Sequence, residues 1–148
     1  MALLNYTTQI EAAKTVGQIH GILVAHGARS ILTNYDSDGH IESLSFEVET
    51  PQGFATIRLP INPTAVLKVL TRYENHIPRH YQNKEQAIRI AWRIVKDWVE
   101  AQMAILETEM VKMEQIFLPY IVTGSGQTLF QVFEGRKMLT DGNKKENE

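Results

Sequence analysis

The sequence predicts an α+β fold, in which a small antiparallel β-sheet packs with an N-terminal helix and a long helix follows in the second half. Three observations predict it: a helical apolar period near the N-terminus, three β-rich runs separated by turn sequences, and a second helical period over about 84–118. The chain has 148 residues, of which 43% are hydrophobic, which is enough for one domain with a real core.

The N-terminal region begins with a short alternating stretch, Tyr6–Ile10, which predicts an edge strand. A helical period starts near Ala12, with apolar residues at Val16, Ile19, Ile22 and Leu23. Gly27 suits the left-handed position that ends a helix, because glycine has no Cβ to clash there. We therefore expect the first helix to run from about Ala12 to His26.

Three strands are predicted next, joined by two short turns. Ser30–Tyr35 is rich in β-branched and aromatic residues, and Asp36–Gly39 contains the Asp-Gly pair that is typical of hairpins. In the following run, polar residues alternate with the apolar residues Leu44, Phe46 and Val48. Thr50–Gly53 predicts a second turn, and the last strand, Phe54–Leu59, alternates in the same way. Together they predict an antiparallel meander with one polar face.

A second helix is predicted to start at Asn62-Pro63, since asparagine caps helices and proline fits their first turn. It runs to about Tyr73, and residues 74–83 look irregular. Asn83 then caps the next helix, with Gln86 in the position of a capping box.

The dominant predicted element is a helix over about 84–118, which Pro119 ends. At 1.5 Å per residue it would span roughly 50 Å, more than the diameter of a domain of this size, so we expect it to project. Apolar residues recur along it as in a coiled-coil seam, at Trp92, Val99, Leu106 and Met113, with Met103 and Met110 beside them. We therefore expect a homo-oligomer that forms through this helix.

The chain is expected to divide into three parts. Residues 1–120 form the single α+β domain, and 121–136 form a short β-like extension around the Gly124-Ser125-Gly126 turn. Residues 137–148 form a charged tail that we expect to be flexible.

The composition and motifs argue against several classes of protein. With no cysteine, the chain has no disulfide, zinc ribbon or thiol nucleophile. No apolar run approaches the roughly 20 residues of a membrane span, and the N-terminus lacks a signal-peptide pattern, so we expect a cytoplasmic protein without a membrane partner.

No motif predicts a metal, a cofactor or catalysis. Pro78 separates His76 from His80, and Asp36-x-Asp38-Gly39 is typical of a hairpin turn rather than a calcium loop. No nucleophile or carboxylate pair is placed for catalysis, so we do not expect an enzyme.

The net charge of −2 conceals a strong asymmetry along the chain. Residues 58–96 hold eight basic and two acidic side chains, a charge of +6, whereas 1–57 and 97–120 each carry −4. A mildly acidic chain can therefore present a local positive field, which is the first indication of an anionic partner.

The candidate binding site lies within this positive segment. Four positions share one face of the long helix. Three of them form what we call the cationic ridge, Arg89, Arg93 and Lys96, and the fourth, Trp92, lies at its edge. Arginine grips phosphate through its planar fork and an indole stacks on a base, so the ridge suits a nucleotide-like ligand or a nucleic-acid strand. Arg58, on the polar face of a strand, could approach the same helix. The alternative interpretation is a solvated face with Trp92 in the core.

A family resemblance is carried by the segments Lys14–Ile19, His26–Ala28, Phe54–Pro60, Ala91–Gln102 and Phe117–Tyr120. Over about residues 6–120, the chain resembles a family of small uncharacterised proteins from bacteriophages and integrated mobile elements. That family has no assigned activity, so the resemblance implies no catalytic residues.

The resemblance implies a non-enzymatic accessory protein in the cytoplasm of a host cell. Small oligomeric phage proteins include counter-defence factors that sequester immune signalling nucleotides, and pockets between subunits can gather arginines from more than one chain. We therefore expect an oligomer that binds an anionic nucleotide-like ligand. Two alternatives stay open: a nucleic-acid-binding accessory protein of phage replication or transfer, against which the net charge of −2 weighs, and a module whose long helix docks on a protein partner.

Overall fold

The structure, a computed structural model, describes residues 3–137 and has the α+β architecture that the sequence predicts. The elements are, in chain order, α1 (Ala12–Ala25), β1 (Ser30–Tyr35), β2 (Ile41–Thr50), β3 (Gly53–Arg58), α2 (Pro63–Thr71), α3 (Lys84–Glu107), α4 (Met113–Phe117) and α5 (Leu129–Gly135). Short 3₁₀ turns lie at Tyr73–Asn75, Arg79–Tyr81 and Leu118–Tyr120. Within the described residues, no helix is both long enough and apolar enough to cross a membrane.

The three strands form the predicted antiparallel meander, in the order β1-β2-β3. In one row across the sheet, Ile31 pairs with Phe46 and Phe46 with Ile57, and these side chains face the helices. In the neighbouring row, Leu32, Ser45 and Arg58 lie opposite one another on the outer face. The alternation of polar and apolar residues therefore sets the faces of the sheet as expected.

Helix α3 lies between two hydrophobic cores. The larger core joins α1, the inner face of the sheet and α3, and its largest fully buried members are Trp92, Phe46, Phe117, Ile19, Leu23, Leu44, Ile57, Met103 and Val99. The second core lies between α2 and the other side of α3, and consists of Leu70, Ile77, Ala87 and Ile90. Two cores on opposite sides explain why α3 is buried around most of its first half.

The predicted helix ends have clear physical causes. After α1, Gly27 takes a left-handed φ of 98°, the N–H of Ala28 donates to the Leu23 carbonyl, and that of Gly27 donates to Val24. This pair of bonds is the Schellman arrangement that ends helices. Before α3, Asn83 Oδ1 accepts the Gln86 N–H at 2.8 Å, so the predicted cap is present.

The predicted helix over 84–118 is wrong in length, because α3 ends at Glu107 and a separate short helix, α4, follows it. The chain reverses between the two, with Glu109 at a left-handed φ of 60°. This reversal returns Phe117 to the larger core, where its ring packs edge-on against Phe46 and Trp98, each at 5.7 Å between centroids. Burial of an aromatic ring therefore outweighs continuation of the helical pattern.

One local strand prediction is wrong, and a second holds only in part. Residues 6–10 form no strand in the described part of the chain, and instead the carbonyls of Tyr6 and Thr8 accept hydrogen bonds from the Gln86 amide. In the 121–136 extension, only isolated bridges form at Ile121 and Val122, and Leu129–Gly135 is helical. Of the predicted tail, 138–148 lie outside the described residues.

The helical state of α5 follows from its start. The Thr128 side chain accepts the Gln131 N–H at 3.3 Å, and the Gln131 side chain accepts the Thr128 N–H at 2.9 Å. This reciprocal capping box satisfies two helix-terminal donors and favours a helix over the predicted β-like run.

Candidate functional site

The three basic residues of the cationic ridge lie on successive turns of α3, along its contact with α1. Arg89 donates from Nε to Gln86 at 3.0 Å and has Nη1 3.8 Å from the Glu11 carboxylate. Arg93 donates from Nη1 to the Gln18 side-chain carbonyl at 2.6 Å. The spacing on the helix is thus as predicted, and α1 supplies partners that the spacing alone does not identify.

Lys96 continues this row one turn further along α3. Its ammonium group lies 2.5 Å from Glu100 Oε2, one turn ahead on the same helix, and 3.9 Å from Asp97 Oδ1. The side chain is 18% exposed, so the ion pair lies partly sheltered beside α1. Each of the three ridge cations is therefore engaged by oxygen atoms of the same chain.

Trp92 and Arg58 lie apart from this row. The indole of Trp92 is fully buried in the larger core, and its Nε1 has no hydrogen-bond partner, so it presents no face to a ligand in this structure. Arg58 lies on the outer face of the sheet, away from the helices, and donates to the Gly126 carbonyl at 3.2 Å. The structure thus brings three of the five candidate residues together and separates the other two from them.

An open groove of about 660 Å³ lies beside the ridge, between the second halves of α1 and α3. Its floor includes Ile22 and Met103, and three small residues leave room between the helices: Gly21, Ala25 and Ala104. Lys96 belongs to both the ridge and this groove. Gln18, which holds Arg93, lines the groove as well.

Two ion pairs line the wall of the groove. Lys96 pairs with Glu100, and His26, which follows the last residue of α1, pairs with Glu107 near the end of α3 at 2.9 Å. His26 also has Nδ1 2.8 Å from the Ile22 carbonyl. The hydrogen bond to that backbone carbonyl raises the pKa of His26, and the Glu107 carboxylate raises it further. Both imidazole nitrogens donate in the protonated form, so the groove then holds two cations and two carboxylates.

The sequence alone did not indicate His26 or Glu107 as members of a site. They lie 81 positions apart, and His26 carried only the signal of a helix end. Since no local pattern links the two, only the packing of α1 on α3 reveals the pair.

The β1–β2 hairpin holds a second cluster of polar groups, formed by Asp36, Asp38 and His40, whose nearest ligand-type atoms lie within 4.8 Å of one another. Asp36 Oδ1 accepts the N–H groups of both Asp38 and His40 at 2.9 Å, and the His40 N–H in particular lowers the pKa of Asp36. His40 Nε2 lies 2.8 Å from Glu85, and Lys84 pairs with Asp38 at 3.7 Å. These bonds build the turn and connect it to the start of α3.

The comparisons with known proteins found no matching family model, no matching curated protein and no matching solved structure. The resemblance to bacteriophage and mobile-element proteins therefore stays a prediction from the sequence. The function has to be argued from the groove and the ridge themselves.

Proposed function

We propose that the protein is a non-enzymatic binding protein and that the groove between α1 and α3 holds a small anionic ligand of nucleotide size. The observation that carries the proposal is the groove itself, about 660 Å³ in volume with Lys96 in its wall. Pockets for small ligands commonly have volumes of roughly 300–1,000 Å³ and combine apolar walls with a few polar groups.

The chemistry of the groove suits the two parts of a nucleotide. Lys96 and protonated His26 supply positive charge for a phosphate, and Arg93 lies one turn before Lys96, held by the groove residue Gln18. Ile22 and Met103 give an apolar surface for a base, and the flexible thioether of methionine adapts to ring edges. Trp92 has no part in this proposal.

Binding would require an exchange of partners. In this structure the Glu100 carboxylate forms an ion pair with Lys96, and the Glu107 carboxylate forms one with His26. Both carboxylates are well exposed, so each can turn into water when a phosphate takes its place. Because displacing these two carboxylates costs free energy, we expect the affinity for the ligand to be moderate rather than very tight.

The biological role that we propose is that of an accessory protein of a bacteriophage or mobile element, acting in the host cytoplasm by sequestering an immune signalling nucleotide. Its support is the sequence resemblance together with the size of the groove and the presence of Lys96 and His26 in its wall. The alternative of nucleic-acid binding is less favoured, because the ridge cations are individually paired and the wall of the groove carries as many carboxylates as cations.

The experiment is native mass spectrometry of the purified protein incubated with a nucleotide mixture, followed by calorimetry with whichever nucleotide is retained. We expect Lys96→Ala to weaken binding by roughly tenfold or more, because a charge-assisted hydrogen bond to phosphate is lost. Glu100→Gln is expected to strengthen binding, since it removes the competing carboxylate.

Lys68→Ala is the matched control, because Lys68 is an exposed lysine on α2 that does not line the groove. Retention of no nucleotide, or equal loss of affinity in Lys96→Ala and Lys68→Ala, would contradict the proposal. Strongly salt-dependent binding of single-stranded DNA, unaffected by Lys96→Ala, would instead support the nucleic-acid alternative.

A further inference from the structure

The two edge strands of the sheet, β3 and β1, differ in the backbone partners that they have on their outer sides. At the β3 edge, the Val122 N–H donates to the Thr56 carbonyl at 2.8 Å, and Ile121 forms a bridge with Ile57. At the β1 edge, nothing in residues 3–137 does the same, since β1 pairs with β2 alone. Every second residue of β1 therefore presents its backbone N–H and C=O outward without a strand partner.

The β1 edge also lacks the usual protection against pairing. Exposed edge strands are commonly blunted by charged side chains or proline, but Ser30–Tyr35 contains neither. Two of its larger side chains are exposed, Leu32 at 59% and Tyr35 at 61%.

The charged residues that flank β1 are engaged away from its edge. The guanidinium of Arg29 lies 5.5 Å from the centroid of the Phe54 ring, on β3 at the far side of the sheet. The Asp36 carboxylate accepts two N–H groups of its own hairpin turn. A second strand could therefore approach β1 without meeting an unpaired charge.

The expected self-association needs such a surface, because most of the seam that predicts it is buried in the folded chain. Trp92, Val99 and Met103 are buried in the larger core, and Leu106 and Met113 are partly buried against it. Met110, at 72%, is the one exposed member of the seam. Packing of α3 against a second copy would require the buried side chains to leave their own core.

We infer that β1 pairs antiparallel with β1 of a second copy of this chain, so that two three-stranded sheets join into one of six strands. A two-fold axis through Leu32 keeps the helices of both copies on the same side, because directly opposite residues share a face. In that register Leu32 lies opposite itself, and Ser30 lies opposite Asn34 of the second copy. An apolar pair at the centre, flanked by polar pairs that can hydrogen-bond, makes the strand complementary to itself.

The absence of cysteine allows a direct test of this register. Leu32→Cys places one thiol on the proposed axis, and residues directly opposite in an antiparallel pair lie within disulfide reach. We expect this variant to form a covalent dimer under mild oxidation. Val24→Cys is the matched control, since Val24 is 62% exposed but lies on α1, and it should cross-link far less.

A second variant tests the equilibrium rather than the cross-link. Leu32→Lys brings two ammonium groups together on the axis, and we expect sedimentation or light scattering to show a dimer dissociation constant at least roughly tenfold higher than in the wild type. Because the side chain is exposed, the monomer should fold normally, which circular dichroism verifies.

Three results would overturn the inference. One is a wild-type protein that stays monomeric at the highest concentration reached. Another is a dimer that persists unchanged in Leu32→Lys, with Leu32→Cys cross-linking no better than Val24→Cys. The third is a monomer that instead captures an extended peptide at β1, which would assign the edge to a foreign strand.

Discussion

The two halves of α3 have the same amphipathic pattern but different surroundings. The first half, up to about Val95, is enclosed by the larger core on one side and by the second core on the other. In the second half only Val99 and Met103 are fully buried, and its outer side lines the groove through Lys96, Glu100, Ala104 and Glu107. One helix thus serves as a scaffold in its first half and as the wall of a binding groove in its second.

The comparison teaches that a helical period identifies a buried face but not the number of neighbours. In the first half, α2 and α1 lie on different sides, so residues predicted at the edge of a polar face are enclosed. Trp92 is the clearest case, because its helical position predicts the edge of the cationic ridge, whereas its indole is fully buried.

The largest expected effect on stability comes from the truncation of a buried side chain in the first half of α3. Trp92→Ala removes a fully buried indole and leaves a cavity that the packed neighbours cannot fill, so we expect a loss of about 3–5 kcal/mol in the free energy of unfolding. Urea unfolding at fixed pH measures it. Ile105→Ala, in the partly exposed second half, should cost less than about 1 kcal/mol. Equal losses at the two positions would show that the halves are not distinct.

A smaller effect is expected at Gln86, which connects the N-terminal segment to the start of α3. Its amide donates to the carbonyls of Tyr6 and Thr8, both at 2.9 Å, and its oxygen accepts from Arg89. Gln86→Ala leaves these groups without their partner, so we expect a loss of about 1–3 kcal/mol.

The same variant should increase hydrogen exchange and proteolysis near residues 3–10, because their attachment to α3 is weakened. Gln102→Ala is the control in the second half, where the amide makes no side-chain hydrogen bond to any residue in 3–137. Unchanged protection of the N-terminal segment in Gln86→Ala would contradict the connecting role.

The smallest effect is a pH dependence in the second half. The Ile22 carbonyl and the Glu107 carboxylate raise the pKa of His26 above its ordinary value of 6.5. His26 therefore contributes stability that is fully present below pH 6.5 and is lost as the pH rises through the folded-state pKa.

Urea midpoints measured from pH 5.5 to 8 should show this loss in the wild type and a flatter profile in His26→Gln. Glu107→Gln should flatten it only in part, since the Ile22 carbonyl remains. If the urea midpoint depends on pH in the same way in the wild type and in His26→Gln, the prediction is wrong.

Much of the fold was predictable because its signals are local. The hairpin at Asp36–Gly39, the alternation over Leu44–Val48, and the caps at Gly27 and Asn83 each depend on a few neighbouring residues. The α+β class follows from them. At these positions the signal is carried by residues within one turn or one strand, and the structure agrees with it. Local alternation without such a turn or cap was less informative, since residues 6–10 form no strand and Leu129–Gly135 is helical.

The length of α3 and the partners of the cationic ridge depend on distant contacts. The helical spacing of Leu106 and Met113 gives no sign that α3 ends between them, because the cause is the contact of Phe117 with Phe46, which lies 71 positions earlier in the chain. The sequence predicts the spacing of the cationic ridge, but it does not predict the partner of Arg93, because Gln18 lies on another helix. The groove depends on small residues of two helices, whose meeting no single-helix pattern describes.

The attachment of the N-terminal segment also has a consequence for the order of folding. Asn5 donates to Asp97, and the Tyr6 and Thr8 carbonyls accept from Gln86, so these contacts join positions 78 to 92 apart. The β meander, by contrast, closes through neighbouring strands. On a ribosome, the segment around residues 5–8 would therefore reach its final position only after α3 has been synthesised, although it precedes α3 in the chain.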